Sequence, residues 1–241
     1  ATAAPQSLAA IAARMPGSGD SRVRVETYTM RDGSKQYALY VAGTQSHGVG
    51  GDDAWDHLSN AQLYTGASSS SYEATVAALT AAGAQPGDVV HAFAHSQGGM
   101  ITSHLALEEG FDVRTHVAFG SPVEAELGAS TLSVAVRHTD DPAAALAGGG
   151  RFEPVGAPGS FVVEREADPA TGQHDMHIPA HQMATYADTA AMIDASSDPR
   201  VDRVHDVFDE LGRAQSVEVV EYGALRVGDV GELSPVSEDA G

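Results

Sequence analysis

The chain has 241 residues, 42% of them hydrophobic, and is therefore long enough to bury a full core as one domain. It has no cysteine, which excludes disulfides, cysteine-bound metals and thiol catalysis. Thirty-three acidic residues against thirteen Lys and Arg give a net charge of −20. Because this charge repels phosphate backbones and anionic lipids, we expect no binding to nucleic acids or to anionic membrane surfaces.

The same composition bears on where the protein works. No stretch approaches eighteen consecutive apolar residues, so no transmembrane span is expected. The acidic, lysine-poor composition and Ala rather than Met at position 1 lead us to expect a secreted or cell-envelope-associated protein, with a cytoplasmic one as the alternative. Nothing in the composition indicates an oligomeric state.

The first third of the chain has the pattern of a helix followed by a β-hairpin. A short helix is predicted over 5–14, and apolar residues alternate over 22–30 and 36–42 on either side of an Asp-Gly turn, which is a strong hairpin signal. Residues 43–70 lack periodicity and are predicted to form a long functional loop with at most one helical turn. A helix over 71–83 follows, with Gly83 as its C-terminal cap.

From residue 89 onward, short apolar strands alternate with helices. The predicted strands are 89–94, 113–119, 131–138 and 160–165, the helices are 97–109, 180–195 and 201–212, and a β-like piece begins at 216. This alternation predicts an α/β fold, with a mostly parallel sheet, an antiparallel N-terminal hairpin and helices on both faces. We expect a single domain over 1–241, with its core at about 22–212 and with the N-terminal helix and C-terminal tail peripheral.

The strongest local motif is the six-residue stretch AHSQGG at 94–99, which lies between a predicted strand and a predicted helix. A tight strand-to-helix turn holds a serine in a strained conformation with its hydroxyl exposed, which makes Ser96 the candidate nucleophile. Small residues on either side, Ala94 and Gly98, let the strand and helix pack closely. The backbone amide of Gln97, at the helix start, is the natural donor to a developing oxyanion.

This stretch resembles the lipase and esterase branch of the α/β-hydrolase family, where His-Ser-Gln-Gly-Gly is a frequent form. Ala94 stands where the usual pattern has Gly, a mild departure. The likeness extends to VAGTQ at 41–45, which ends the second strand as the oxyanion loop does in lipase-like members. By that likeness, the amide of Thr44 or Gln45 would be the second oxyanion donor.

A serine hydroxyl needs a general base, and the family order places that histidine after the nucleophile and after the acid. The late candidates are His174, His177, His181 and His205. The resemblance favours His181, since lipase-like members place the base just before a helix with a Tyr a few positions on, here Tyr186. His177 and His174 stay open as alternatives.

The acid is expected after the strand at 131–138, which runs directly into Asp140-Asp141-Pro142. A strand-terminal Asp followed by Pro is similar to the acid loop of lipase relatives, and this favours Asp141 over Asp140. The resemblance implies hydrolysis of a small-molecule or lipid-like carboxylic ester by Ser96, His181 and Asp141, with no cofactor.

Substrate contacts are expected from His47 and Trp55 in the 45–70 loop and from His95 beside the nucleophile, although Trp55 could equally anchor the core. Other functions stay open: a thioesterase or peptidase with the same catalytic residues, or a partner-binding module without catalysis. The spacing of His174, His177 and His181 also suggests a metal site, but Pro179 interrupts the helix that such a site would need, and we expect no metal.

Overall fold

The computed structural model describes residues 3–17, 19–44, 52–65, 69–108, 110–148, 155–170, 172, 177–227 and 230–236. In these ranges the strands are β1 (Val23–Thr29), β2 (Lys35–Val41), β3 (Val89–His95), β4 (Asp112–Phe119), β5 (Leu132–His138), β6 (Phe161–Arg165), β7 (Ser216–Val227) and β8 (Val230–Pro235). The helices are α1 (Leu8–Ala13), α2 (His57–Tyr64), α3 (Ser70–Ala81), α4 (Gln97–Glu108), α5 (Pro142–Ala145), α6 (Met183–Asp194) and α7 (Pro199–Leu211). None of the helices described there is long and apolar enough to cross a membrane.

The described strands form one sheet in the order β6-β5-β4-β3-β2-β1-β7-β8. Strands β2 to β6 pair in parallel, whereas β1 pairs antiparallel with both β2 and β7, and β8 pairs antiparallel with β7. The β1–β2 hairpin turns at Gly33, whose φ of +85° suits glycine. The predicted fold class, α/β with a mostly parallel sheet and an antiparallel N-terminal hairpin, is therefore confirmed.

Helices cover both faces of this sheet because successive side chains of each strand point to opposite faces. In β2, Tyr37, Leu39 and Val41 pack on the face with α2, α3 and α4, whereas Ala38 and Tyr40 pack on the face with α1, α6 and α7. Two apolar cores result, one on each side of the sheet.

Helix α1 packs in one of the two cores, and the late strands β7 and β8 belong to the sheet. In α1, Leu8 and Ile11 are fully buried in the core shared with α6 and α7. Strand β7 hydrogen-bonds along the whole of β1, and β8 extends the sheet by one more strand. β8 was not predicted, since the sequence VGELSP at 230–235 has little apolar alternation and forms a strand through pairing with its neighbour.

Two short helices also differ from the prediction. The segment at 43–70, predicted to be a loop, contains the eight-residue helix α2. Asp56 caps this helix by accepting from the backbone amide of Ser59 at 3.0 Å. Its apolar periodicity is weak, so the sequence pattern did not reveal it. The four-residue helix α5 begins at Pro142 and is capped by Asp141, whose carboxylate accepts from the amide of Ala143 at 2.8 Å.

The fold brings the ends of several parallel strands to one edge of the sheet. Thr44 follows β2, Ser96 follows β3, and Asp141 follows β5. The carboxyl ends of parallel strands meet at the same edge, which is where open α/β sheets bind ligands. The predicted candidate residues therefore converge through topology, although they are far apart in sequence.

Candidate active site

Ser96 occupies the sharp turn between β3 and α4. Its φ is +50°, in the left-handed region that non-glycine residues rarely adopt. Its amide donates to the carbonyl of Phe119 at 2.9 Å, and its carbonyl accepts from the amide of Gly99 at 2.9 Å. These backbone bonds hold the strained conformation, as expected for a functional turn.

Two glycines allow this turn to be so tight. A Cβ at Gly98 would collide with the carbonyl oxygen of Val41 at the end of β2, and one at Gly99 would lie 2.5 Å from the Oγ of Ser121. Neither position has room for a larger residue while α4 stays where it is. The glycines thus let the start of α4 approach the ends of β2 and β4, and this places Ser96 at the sheet edge.

Ser96, His181 and Asp141 form a continuous hydrogen-bonded chain. The Oγ of Ser96 lies 2.9 Å from Nε2 of His181, and Nδ1 of His181 lies 2.8 Å from Oδ2 of Asp141. An ionised carboxylate only accepts hydrogen bonds, so Nδ1 carries the proton and Nε2 accepts from the serine hydroxyl. The Asp141 side chain is fully buried, whereas that of His181 is 21% exposed. This arrangement can remove the serine proton and keep the base accessible to a substrate.

Asp141 is held in place from three directions. Besides His181, its carboxylate accepts from Oη of Tyr186 at 2.7 Å and from the amide of Ala143 at 2.8 Å. Burial by itself raises the pKa of Asp141, but the hydrogen bonds and the electrostatic attraction of His181 outweigh burial and hold the pKa below its usual value. The carboxylate therefore stays charged at neutral pH.

Asp140, the alternative acid, points elsewhere. Its carboxylate accepts from the amides of Ala167 and Asp168 at 3.0 and 2.6 Å, in the segment that follows β6. Burial works to raise the pKa of Asp140, yet these two backbone donors lower it overall. The structure brings Asp141 to His181 and leaves Asp140 to hold a loop.

On the other side of Ser96, the side chains of Thr44 and Gln97 meet. The Thr44 hydroxyl donates to Oε1 of Gln97 at 3.4 Å and accepts from Nδ2 of Asn60 at 2.9 Å. Nε2 of Gln97 donates to the carbonyl of Asp56 at 3.4 Å. The Gln97 amide is the first of α4, and such amides have no acceptor within their helix. Two further predicted residues, Gln45 and His47, lie outside the described residues.

His95 and Trp55, both predicted to contact substrate, have other surroundings. Nε2 of His95 donates to the backbone carbonyl of His181 at 2.9 Å, beneath the candidate base. Burial, and then the proximity of His181, lower the pKa of His95 to about 4. Trp55 is 0% exposed, and its Nε1 donates to the carbonyl of Ala42 at 3.1 Å. Trp55 is therefore the core anchor that the sequence left open as an alternative.

Several neighbours of the site had no sequence signal. His138 donates from Nδ1 to the carbonyl of Ala180 at 2.6 Å and stacks on the Tyr186 ring at 3.9 Å between centroids. Asn60 lies in the unpredicted helix α2. Tyr186 was singled out by resemblance, but its hydrogen bond to Asp141 depends on how α6 packs under β5. These contacts arise from tertiary packing, which no local pattern encodes.

Among the described residues, neither His177 nor His205 hydrogen-bonds to Ser96, as His181 does. His177 is exposed, and Nε2 of His205 contacts Oδ1 of Asp194 at 3.1 Å on the helical layer. His174 lies outside the described residues. In the described part of the chain, no three His, Asp or Glu side chains are placed to hold a metal ion.

Comparison with known proteins identifies no relative of this chain. No protein-family model, no curated protein and no solved structure matches the chain significantly. The fold and the site geometry therefore carry the functional conclusion by themselves.

Proposed function

We propose that this protein is a serine hydrolase of the α/β-hydrolase type that cleaves a carboxylic ester through an acyl-enzyme intermediate. The observation that carries the proposal is the hydrogen-bonded chain from Ser96 through His181 to Asp141, with the serine on a strained turn at the start of a helix. Such a chain activates a hydroxyl that would otherwise be a weak nucleophile. No cofactor is required for this chemistry.

The geometry supports the following sequence of steps. His181 Nε2 accepts the Ser96 proton while Oγ attacks the ester carbonyl, and Asp141 stabilises the imidazolium through its bond to Nδ1. The oxyanion lies near the start of α4, where the amides of Gln97 and Thr44 would donate to it. His181 then gives its proton to the leaving alcohol oxygen. A water molecule, deprotonated by the same nitrogen, hydrolyses the acyl-enzyme and restores Ser96.

Two exposed apolar side chains favour an ester with an apolar part. Leu146 is 60% exposed one residue beyond α5, which Asp141 caps, and Ile178 is 41% exposed three residues before His181. Both are on the segments that carry the candidate acid and base. We infer that these two side chains contact the acyl or alcohol chain of a lipid-like substrate.

The test is hydrolysis of p-nitrophenyl esters over a range of acyl chain lengths, with wild type, S96A and the matched control S103A. Ser103 lies in the same helix as the nucleophile's turn but outside the hydrogen-bonded chain. We expect S96A to lose turnover by about a thousandfold or more and S103A to keep it. A fluorophosphonate probe should label wild type and S103A but not S96A.

Turnover that is equal in wild type and S96A, with no labelling of Ser96, would refute the proposal. Turnover of thioesters or peptides in place of oxygen esters, lost in S96A, would keep the serine hydrolase and change its substrate class. The acyl-length optimum separates an esterase for short chains from a lipase.

A further inference from the structure

Two histidines outside the Ser96–His181–Asp141 chain bond to successive backbone carbonyls at the candidate base. His95, at the end of β3, donates from Nε2 to the carbonyl of His181 at 2.9 Å. His138, at the end of β5, donates from Nδ1 to the carbonyl of Ala180 at 2.6 Å. The turn that carries the base is thus bonded to two different strands of the sheet.

This turn has little to hold it by itself. It is a single 3-10 turn, Pro179–His181, entered through Ile178 at φ 47° and ψ 64°. A β-branched residue in the left-handed region is strained, and such strain persists only where the surroundings impose it. Within the turn, the amide of His181 donates to the carbonyl of Ile178 at 2.9 Å. From outside the turn, the Thr185 hydroxyl donates to the carbonyl of Pro179 at 2.8 Å, and the two histidines bond to the next two carbonyls.

We propose that His95 and His138 are positioning residues that fix the turn carrying His181, so that its Nε2 stays within hydrogen-bond distance of Ser96. This inference rests on the proposed function, in which His181 is the base. The two histidines touch neither the serine hydroxyl nor the carboxylate of Asp141 through a hydrogen bond. Both bond to the backbone at the base, and the His95 ring also lies 5.0 Å from the His181 ring between centroids, so that both bear on the direction of the His181 ring.

The partners of each imidazole determine which nitrogen carries the proton. A carbonyl oxygen only accepts, so His95 is protonated on Nε2 and His138 on Nδ1. Nε2 of His138 then accepts from the Thr189 hydroxyl at 2.8 Å, and that hydroxyl oxygen accepts from Arg165 at 2.9 Å. Burial lowers the pKa of both histidines, so both serve as neutral donors at pH 7.

Because the two histidines donate through different nitrogens, Asn and Gln substitutions give a matched test. The side-chain nitrogen of Gln reaches the place of an imidazole Nε2, and that of Asn reaches the place of Nδ1. At position 95, H95Q can keep the bond to the turn, whereas H95N is too short to make it. At position 138 the order is reversed: H138N keeps the bond to Ala180, and H138Q can bond only toward Thr189.

The first readout is ester turnover, separated into kcat and KM. We expect kcat to be about tenfold to a hundredfold higher in H95Q than in H95N, and in H138N than in H138Q, with KM similar within each pair, because a misplaced base slows the chemical step. Equal kcat within both pairs, or pairs that differ only in KM, would overturn the positioning role. If H138Q fails to fold, the pair at position 95 decides.

The second readout does not depend on activity. The proton on His181 Nδ1, bonded to Asp141, gives a far-downfield NMR resonance that is lost when the ring is free to move and exchange with water. It should persist in H95Q and H138N and vanish in H95N and H138Q. If the wild type hydrolyses no ester but the four variants still show this split, the proposed ester hydrolysis fails and the positioning role stands. A resonance unaffected in all four variants would refute the positioning role.

Discussion

His91 and His116 lie inside the sheet, away from the candidate site, and are 2% and 5% exposed. Nε2 of His91 contacts Oε1 of Gln36 at 2.9 Å, and Nε2 of His116 contacts the Thr102 hydroxyl at 2.9 Å. Burial lowers the pKa of each imidazole to about 4. Both are therefore neutral in the folded protein at a pH where an unfolded chain, with a histidine pKa of about 6.5, already binds protons.

The sign of the effect follows from proton linkage. Between pH 6.5 and 4 the unfolded chain binds more protons than the folded one, so the free energy of unfolding falls as the pH falls. Each histidine contributes a slope of about 1.4 kcal/mol per pH unit and a total loss of about 3 kcal/mol by pH 4. The two together remove about 6 kcal/mol, which is comparable with the whole stability of an ordinary domain.

The assay is urea unfolding of wild type, H116Q and V117A at half-unit steps from pH 5 to 7. The Thr102 hydroxyl donates to the carbonyl of Gly98 at 2.9 Å, so His116 is the donor in its pair, and the Gln side-chain nitrogen can take over that role. We expect the slope of stability against pH near pH 5 to be shallower in H116Q by about 1.4 kcal/mol per unit.

Val117 provides the control, since it is fully buried in the same strand and does not titrate. V117A should lower the free energy of unfolding by about 2 kcal/mol at every pH, through the lost packing, and leave the slope as in wild type. Protonation of the many carboxylates at low pH weakens their mutual repulsion, which opposes this loss of stability. Because that effect is the same in H116Q and in wild type, it cancels when the two are compared. Identical slopes in wild type and H116Q would show that His116 titrates alike in both states, and the linkage argument would fail.

Three further predictions concern the candidate site. D141N should lower kcat by about a thousandfold, because His181 loses the carboxylate that fixes its tautomer, whereas D140N should lower kcat by less than about tenfold. Ester turnover of the two variants tests this, and equal losses would contradict the assignment of the acid. S96G should be more stable than S96A by about 1 kcal/mol in urea unfolding, although both are inactive, since only Gly relieves a φ of +50°; a less stable S96G would show that the turn is not strained. G98A should lower the thermal midpoint by several degrees or prevent folding, because the added Cβ would lie 2.9 Å from the carbonyl oxygen of Ala42, and an unchanged midpoint would mean that α4 can shift freely.

Much of the fold was predictable because the signals for its elements are local. The Asp32-Gly33 turn between alternating strands predicts a hairpin within about twenty residues, and the structure has it. The strand, turn and helix around Ser96 follow from a short apolar run and from glycines that permit close packing. Strand β8 was missed for the opposite reason, since its pairing with β7 decides its conformation and its own residues do not.

The two adjacent aspartates show where sequence reasoning about the site ends. Asp140 and Asp141 share the same turn after β5, and the resemblance to lipases favoured one of them without a physical reason that separates them. Their difference is the direction of each side chain, one toward His181 and the other toward the amides of Ala167 and Asp168. That direction depends on where β6 and the 3-10 turn lie, which is a property of the whole fold.

Burial of neutral histidines connects the candidate site with the stability of the sheet. In the site, a low pKa keeps His95 a neutral donor with one fixed tautomer, and in the core it keeps His91 and His116 uncharged. Acidification therefore acts on the fold itself through these buried histidines. A loss of turnover on acidification can be assigned to the candidate site only if unfolding, measured at the same pH, has not begun. The fold of H116Q should survive to a lower pH than that of wild type. If activity falls over the same acidic pH range in both proteins, the fall is therefore caused by the candidate site and not by unfolding.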